Sequence, residues 1–328
     1  MSIKEVELGY EALYKAVEQY QNEAKTYFFN AYIEVLKGLT AIDFPVDKES
    51  KLYSYYETLR QLSLEKEEKR KITQLVLLKG MTLEPLQPNH QLTPDSIGYL
   101  FVYLIEELMT KKDKVVLYDP CNGMGNLLAT IMENLSLASI HVKGYGAEID
   151  DLLLEIAAVN ADWIEMPMHL IHQDGAQAMV PEAVDFVVAD LPIGYYPLDD
   201  VVTSFKSATK EGHSYAHHIL MEASMTQLNE TGYGLFLVPT NLLSSEQASE
   251  LKRWLNHTVY IQAMLHLPSE MFKTEASQKS ILILQNRNQQ TKQANEVLVA
   301  EIPPLNDRGR LEKFFQTFNE WKQSAKGE

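Results

Sequence analysis

The chain has a single cysteine, Cys121, among 328 residues. This excludes an internal disulfide, and no Cys/His spacing resembles a zinc site, so no metal is expected. Such usage suits a reducing compartment, and a cytoplasmic location is the expectation. Long apolar runs are also missing. None approaches the roughly 20 residues that a membrane helix needs, and the opening "MSIKEVELGYEALY" lacks the apolar stretch of a signal peptide. Nothing in the chain calls for a membrane. Positive charge is short as well: 29 Lys+Arg face 45 Asp+Glu, a formal net charge of −16. That is the wrong sign for affinity drawn from neutralising phosphates, so any nucleic-acid role requires a local basic patch or a basic partner subunit. Trp163, Trp254 and Trp321 stand alone, without the basic neighbours of a base-stacking surface.

What is present begins with helical periodicity. From Val6 to about Leu39, apolar and aromatic residues such as Leu13, Val17, Tyr20, Tyr27, Phe28, Tyr32 and Leu36 recur at three- and four-residue steps, as on one amphipathic helix, until "IDFPVD" interrupts it. A second stripe carries Leu52, Tyr55, Tyr56, Leu59 and Leu62, followed by "EKEEKRK". That run mixes signs and reads as a solvated helix face. Residues 1–84 are expected to form a helical domain. The proline-rich "MTLEPLQPNHQLTP" leads into the next domain.

The pattern then changes to strands alternating with helices: "KVVLYD", "HVKGYGAEI", "HLIHQD", "VDFVVAD", "YGLFLVP", "IQAMLHLP" and "KSILILQN". This alternation predicts an α/β fold with a mainly parallel sheet covered on both faces, over residues 85–305, and a terminal amphipathic helix over 306–328. Ligands of such sheets bind at the carboxyl ends of the strands.

Chemistry-bearing residues fall at those ends. The first strand runs into "YDPCNGMGNLL", where Gly123 and Gly125 form a G-x-G turn open to a ligand's approach. The third glycine of a dinucleotide fingerprint is missing, and Asp119 disfavours a phosphate while attracting an ammonium or sulfonium group. The second strand ends in "GAEID", so that Glu148, with Asp150 behind it, is placed to accept ribose hydroxyls. The third ends in "HQDGA", where Asp174 can accept from an adenine amino group. Acids at successive strand ends after a G-x-G turn describe an adenosine pocket without phosphates. The apolar run of "DFVVADLPIGYYP" puts Asp190 at the mouth of a further buried strand, followed by Pro192 and two tyrosines.

These motifs resemble the class I S-adenosylmethionine-dependent methyltransferases of the amino-group type, above all the methylation subunits of type I restriction-modification systems and the YtxK-like proteins. The resemblance covers roughly residues 85 to 290, and implies a Rossmann-like seven-stranded sheet, S-adenosylmethionine as cofactor and methyl transfer to adenine N6 in DNA. "QLTP" is similar to the family's Q-x-F-T-P, which implicates Thr93 at the cofactor's methionine part. "DPCNGMGNLL" resembles D-P-x-x-G-x-G-x-x-L, implicating Asp119, Pro120, Asn122, Gly123, Gly125 and Asn126; "GAEID" and "QDGA" add Glu148 with Ile149 and Asp174 with Gly175. "LHLPSEMFKTEASQKSILIL" is similar to the family's late L-P-x-x-x-F segment and last strand. "DLPI" stands where the family has N-P-P-F, which holds a planar amine. Asp190 and the Pro192 carbonyl are thus the implied amine acceptors. Ile193 replaces the stacking ring, for which Tyr195 or Tyr196 is the candidate substitute. The alternatives are an S-adenosylmethionine-binding protein without catalysis, and an enzyme acting on a protein side-chain amide. The expected partners are the cofactor and either DNA, reached through a partner subunit, or a protein substrate.

Two features have plainer readings. His213 and His217 lie four apart, but no acid or cysteine completes a ligand set, so they mark a helix start beside the pocket. Cys121 is a small residue packed in a tight loop rather than a reactive thiol.

Overall fold

The computed structural model describes residues 3–43, 46–109 and 113–326. Phe44 and Pro45, in the predicted "IDFPVD" interruption, lie outside them. The first predicted helix is in fact two, α1 (Ile3–Ala24) and α2 (Phe28–Thr40). The break is at Lys25, whose φ of 52° is left-handed and cannot continue a helix. The apolar periodicity persists across the break because both helices face one core. α3 (Lys51–Gln61) and α4 (Lys66–Leu83) complete this helical part.

The charge run corrects the expectation of a solvated face. Arg70 is only 1% exposed. Its guanidinium, between Glu67 and Asp95, donates to Asp95 at 2.7 and 2.8 Å and to Thr130 at 2.9 Å. Burial alone would push the Asp95 carboxyl up, but the Arg70 hydrogen bonds and charge hold it below the usual range. A buried guanidinium is tolerated only when satisfied in this way.

After α5 (Asp95–Leu108) come β1 (Lys114–Asp119), α6 (Asn126–Leu137), β2 (His141–Glu148), α7 (Asp151–Ile164), β3 (Met168–His172) and β4 (Val184–Asp190). The short α8 (Asp199–Val202) and α9 (Ala216–Met225) precede β5 (Leu228–Pro239), α10 (Ala248–Thr258), β6 (Val259–His266), β7 (Lys279–Asn286), β8 (Leu298–Glu301) and α11 (Arg308–Lys326). The strands form one sheet in the order β3-β2-β1-β4-β5-β7-β6-β8, eight strands rather than the expected seven. The extra strand pairs parallel to β6 at the edge and is four residues long, too short to show a period of its own. Among the described strands, only β7 runs against its neighbours.

β4 shows why its sequence is apolar without alternation. Phe186 and Val188 join the core formed with α5, α6 and α11, while Val187 and Ala189 join the one formed with α9 and α10. The first four helices have a further core, which they share with Leu153, Ile156, Val159 and Trp163 of α7. The helical part is therefore packed onto the helix that follows β2. Among the described residues no helix is long and apolar enough to cross a membrane.

Candidate cofactor and amine site

β1 delivers Asp119 to the edge of the turn, where it is 2% exposed and accepts from the Cys121 N–H at 3.0 Å. Burial pushes its carboxyl up to about 7, and the charges of Glu148 and Asp190 add to this against the Cys121 hydrogen bond. A cation arriving here would favour the ionised form. Gly123 and Gly125 have φ of 54° and 82°, the left-handed region that other residues avoid. A Cβ at Gly123 would meet nothing within 4 Å, so that side of the turn is open. Asn122 is buried, and neither atom of its amide has a hydrogen-bond partner. Burying a polar group without a partner is costly, so a donor or acceptor supplied to the Asn122 amide would be favoured.

Glu148, at the end of β2, ties the turn together. Its Oε2 accepts from Gly123 N at 2.8 Å, and its Oε1 from Ile149 N and Asp150 N, both at 2.9 Å. Beyond β3, Asp174 accepts from Ala176 N at 3.0 Å and from the Tyr196 hydroxyl. Gly175 presses on the first turn: a Cβ would lie 1.8 Å from the Pro120 carbonyl oxygen, so no side chain fits.

On the other side of the pocket, β4 delivers Asp190. Thr93 Oγ1 donates to its Oδ2 at 2.9 Å, and Lys279, the first residue of β7, forms an ion pair with its Oδ1. Burial lowers the His217 imidazole to about 4, the Lys279 charge lowers it further and the nearby Pro192 carbonyl opposes them. Asn89 grips the Ile193 backbone, donating to its carbonyl at 2.9 Å and accepting from its N–H at 3.2 Å. The Thr93 backbone is fixed in turn by Asn126 Nδ2, 2.5 Å from its carbonyl, and Asn126 accepts from Gln74 of α4.

The predicted residues come together around two adjoining cavities. One, of about 90 Å³, includes Thr93, Asp119, Asn122, Gly123, Asn126, Asp190 and Pro192. The other, of about 260 Å³, includes Pro120, Gly123, Glu148, Ile149, Asp174, Gly175 and both tyrosines. Gly125 faces instead a cavity of about 20 Å³ towards α4 and α7. The two tyrosines differ in their settings. Tyr196 is buried with its hydroxyl on Asp174, whereas Tyr195 is 59% exposed and stacks on Tyr215 at 5.3 Å.

With this geometry in view, the comparisons are direct. The sequence profile described as N-6 DNA Methylase matches residues 90–325. The chain belongs to the N-6 DNA methylase family. It is 36% identical over 323 residues to the uncharacterized protein YtxK of Bacillus subtilis (strain 168), covering 97% of each chain. A crystal structure from Listeria monocytogenes, provisionally described as a class I S-adenosylmethionine-dependent methyltransferase, superposes with a TM-score of 0.90 at 34% identity, over 98% of this chain and all of that one. The methyltransferase subunit of a type I restriction-modification system from Streptococcus thermophilus gives a TM-score of 0.64 at 15% identity, over 96% of this chain and 74% of that one, a likeness of fold alone. The fold is thus the α/β fold of class I methyltransferases, with an eighth strand at its edge.

The residues at these strand ends suit S-adenosylmethionine, the cofactor that the family implies. Asp119 suits a cationic group, the orphaned Asn122 amide suits a polar one, and the turn at Gly123 has room for a ligand. The sequence reading missed Lys279 and Asn89 beside Asp190 and Ile193. Lys279 begins a strand that is apolar after its second residue, and no local pattern names a partner 89 positions away. The histidine pair brackets a helix start beside the pocket, as expected. α9 starts at Ala216, so His213 precedes the helix and pairs with Asp199, while His217 lies inside it. Cys121 places Sγ 3.5 Å from the Asp190 carbonyl. Burial, with Asp119 and Asp190 nearby, pushes its thiol up, which suits packing rather than nucleophilic chemistry.

Proposed function

We propose that this chain binds S-adenosylmethionine across the ends of β1–β3 and transfers its methyl group to a planar amino nitrogen held at the end of β4, with adenine N6 in DNA as the inherited substrate class. The observation that carries the reading is the buried, cation-seeking Asp119, beside the orphaned Asn122 amide and a few residues of turn from Glu148. Asp119, Asn122 and Gly123 would hold the cofactor with Glu148, Ile149, Asp174 and Gly175, and Thr93, Pro120, Gly125 and Asn126 shape the turn around it. When bound, the cofactor supplies an electrophilic methyl group.

The chain's own work is orientation. Asp190 and the Pro192 carbonyl accept the two amine N–H bonds, so that the nitrogen lone pair points at the methyl group. Asp190 already has two internal donors, Thr93 and Lys279, yet a carboxylate has about four acceptor sites and the Pro192 carbonyl has two. Capacity remains at both. The internal donors also favour a second reading, a cofactor-binding protein without catalysis, because they stabilise this side of the pocket with no substrate present. DNA would be reached through a partner subunit or a local basic patch, since the net charge of −16 opposes it elsewhere. A protein side-chain amide offers the same planar NH₂.

Calorimetric titration tests the cofactor. Glu148→Ala should weaken binding by roughly 1.5–3 kcal/mol, the scale of hydrogen bonds to a charged group. Glu148→Gln, which keeps one carbonyl acceptor for the turn, separates ribose contact from turn support. Wild-type affinity no better than millimolar would remove the reading. A screen with labelled cofactor against DNA, RNA and cell extract then finds the methyl acceptor, or, by finding none, selects the non-catalytic reading.

A further inference from the structure

The Lys279–Asp190 ion pair has a geometry that the orientation of an amine alone does not require. Asp190 needs no lysine to fix its rotamer, since Thr93 Oγ1 already donates to Oδ2 at 2.9 Å. Lys279 is partly exposed, with 20% of its side chain accessible, and lines the smaller cavity beside Asp119, Asp190 and Pro192. An ammonium group has three donors, and the ion pair to Oδ1 occupies one of them. The cavity wall therefore presents an acceptor and a donor side by side: the remaining lone pairs of Asp190 and the remaining protons of Lys279.

Such a doublet is complementary to one kind of ligand edge, an N–H next to a hydrogen-bond acceptor on the same carbon. A free alkyl ammonium has no acceptor to offer and would be repelled by the Lys279 charge. The Watson–Crick edge of adenine has the required pair, the exocyclic amino group and the adjacent ring nitrogen N1. Accordingly, we propose that Lys279 is a specificity-determining residue of the amine site. It donates to the ring nitrogen next to the amino group while Asp190 accepts one N–H of that group. This inference rests on the proposed amine site and adds the second point of contact that site lacks. It also explains how a site that has Ile193 in place of a stacking ring fixes the plane of the base, since two adjacent hydrogen bonds define a plane as a ring contact would.

The test is a two-by-two comparison on the full chain, with S-adenosylhomocysteine present to fill the cofactor half. The probes are 9-methyladenine and 1-deaza-9-methyladenine, which differs only in having C–H for N1. Ligand-observed NMR or calorimetry gives the affinities for wild type and Lys279→Met. Wild type should bind the deaza compound about tenfold or more weakly, the lower end of a hydrogen bond to a charged donor. In Lys279→Met the two probes should bind alike, and Lys279→Arg should restore part of the preference. Equal binding of both probes to wild type overturns the proposal whatever the variants do, so a variant that fails to fold does not shelter it. Binding of neither purine overturns it too. The S-adenosylhomocysteine titration in the same samples shows separately whether the cofactor reading stands. If an acetylated glutamine amide binds instead, with the same dependence on Lys279, the doublet reads a carboxamide and the adenine assignment falls.

Discussion

Two acids stand at the ends of adjacent parallel strands, Asp119 on β1 and Asp190 on β4, and the chain treats them in opposite ways. Asp119 is buried, accepts one backbone N–H from its own turn and feels two further carboxylates, so its carboxyl rises to about 7. Asp190 is matched by a lysine and a threonine from distant parts of the chain. The difference teaches where each charge is to come from. A cation-bearing ligand would complete Asp119, whereas Asp190 already has its counter-ion and would suit a ligand without charge. An S-adenosylmethionine sulfonium and a neutral amine divide along the same line.

The largest effect that would break this comparison is on turnover. Asp190→Ala should lower methyl transfer on the order of a hundredfold or more, the usual loss when an orienting acceptor is removed. Cofactor affinity should change less than with Glu148→Ala. Unchanged transfer would mean that the β4 acid has no part in orientation. Restoring a ring with Ile193→Phe should raise activity on adenine if that is the inherited substrate.

Stability gives the next contrast. A carboxyl whose folded value is raised contributes stability that is full below its ordinary value near 4 and is lost as pH rises through about 7. Asp119→Asn should therefore stabilise the ligand-free protein at pH 8 by about 2–4 kcal/mol and leave it nearly unchanged at pH 4. Asp190→Asn should bring no such gain, because it removes one side of an ion pair. Chemical denaturation at the two pH values reads both. A gain for Asp190→Asn equal to that for Asp119→Asn would erase the distinction.

The smallest expected effect is none. With a net charge of −16 the isolated chain should not hold duplex DNA at physiological salt, having few counterions to release. Sub-micromolar binding by fluorescence anisotropy at about 150 mM salt, with a steep salt slope, would show a local basic patch at work.

The same contrast explains what could be read in the sequence. The cofactor side is local: Asp119, Asn122, Gly123 and Gly125 lie within one turn, and their spacing is visible in seven residues of chain. The strands around it have continuous apolar runs because both faces are covered, and this too is written locally. The proposed amine side is assembled from far apart. Thr93, Asp190, His217 and Lys279 come from four segments, so the doublet exists only after the sheet has formed. Arg70 was hidden for a similar reason. Within "EKEEKRK" nothing marks one cation as buried, and its partner Asp95 opens the next helix. The split at Lys25 was missed because the apolar stripe continues across it, while β8 was too short to declare itself.

The central claim, that Asp119 is the acid left for a cationic cofactor, is tested most directly by counting protons. S-adenosylmethionine should be titrated calorimetrically at pH 6 into wild type and Asp119→Asn, each in buffers of different ionisation enthalpy. An acid with a value of about 7 is mostly protonated at that pH and must ionise beside a cation, so binding should release close to one proton in wild type. Asp119→Asn should bind more weakly and release none. Tight binding with no proton release in wild type, or the same release in both proteins, would contradict the account.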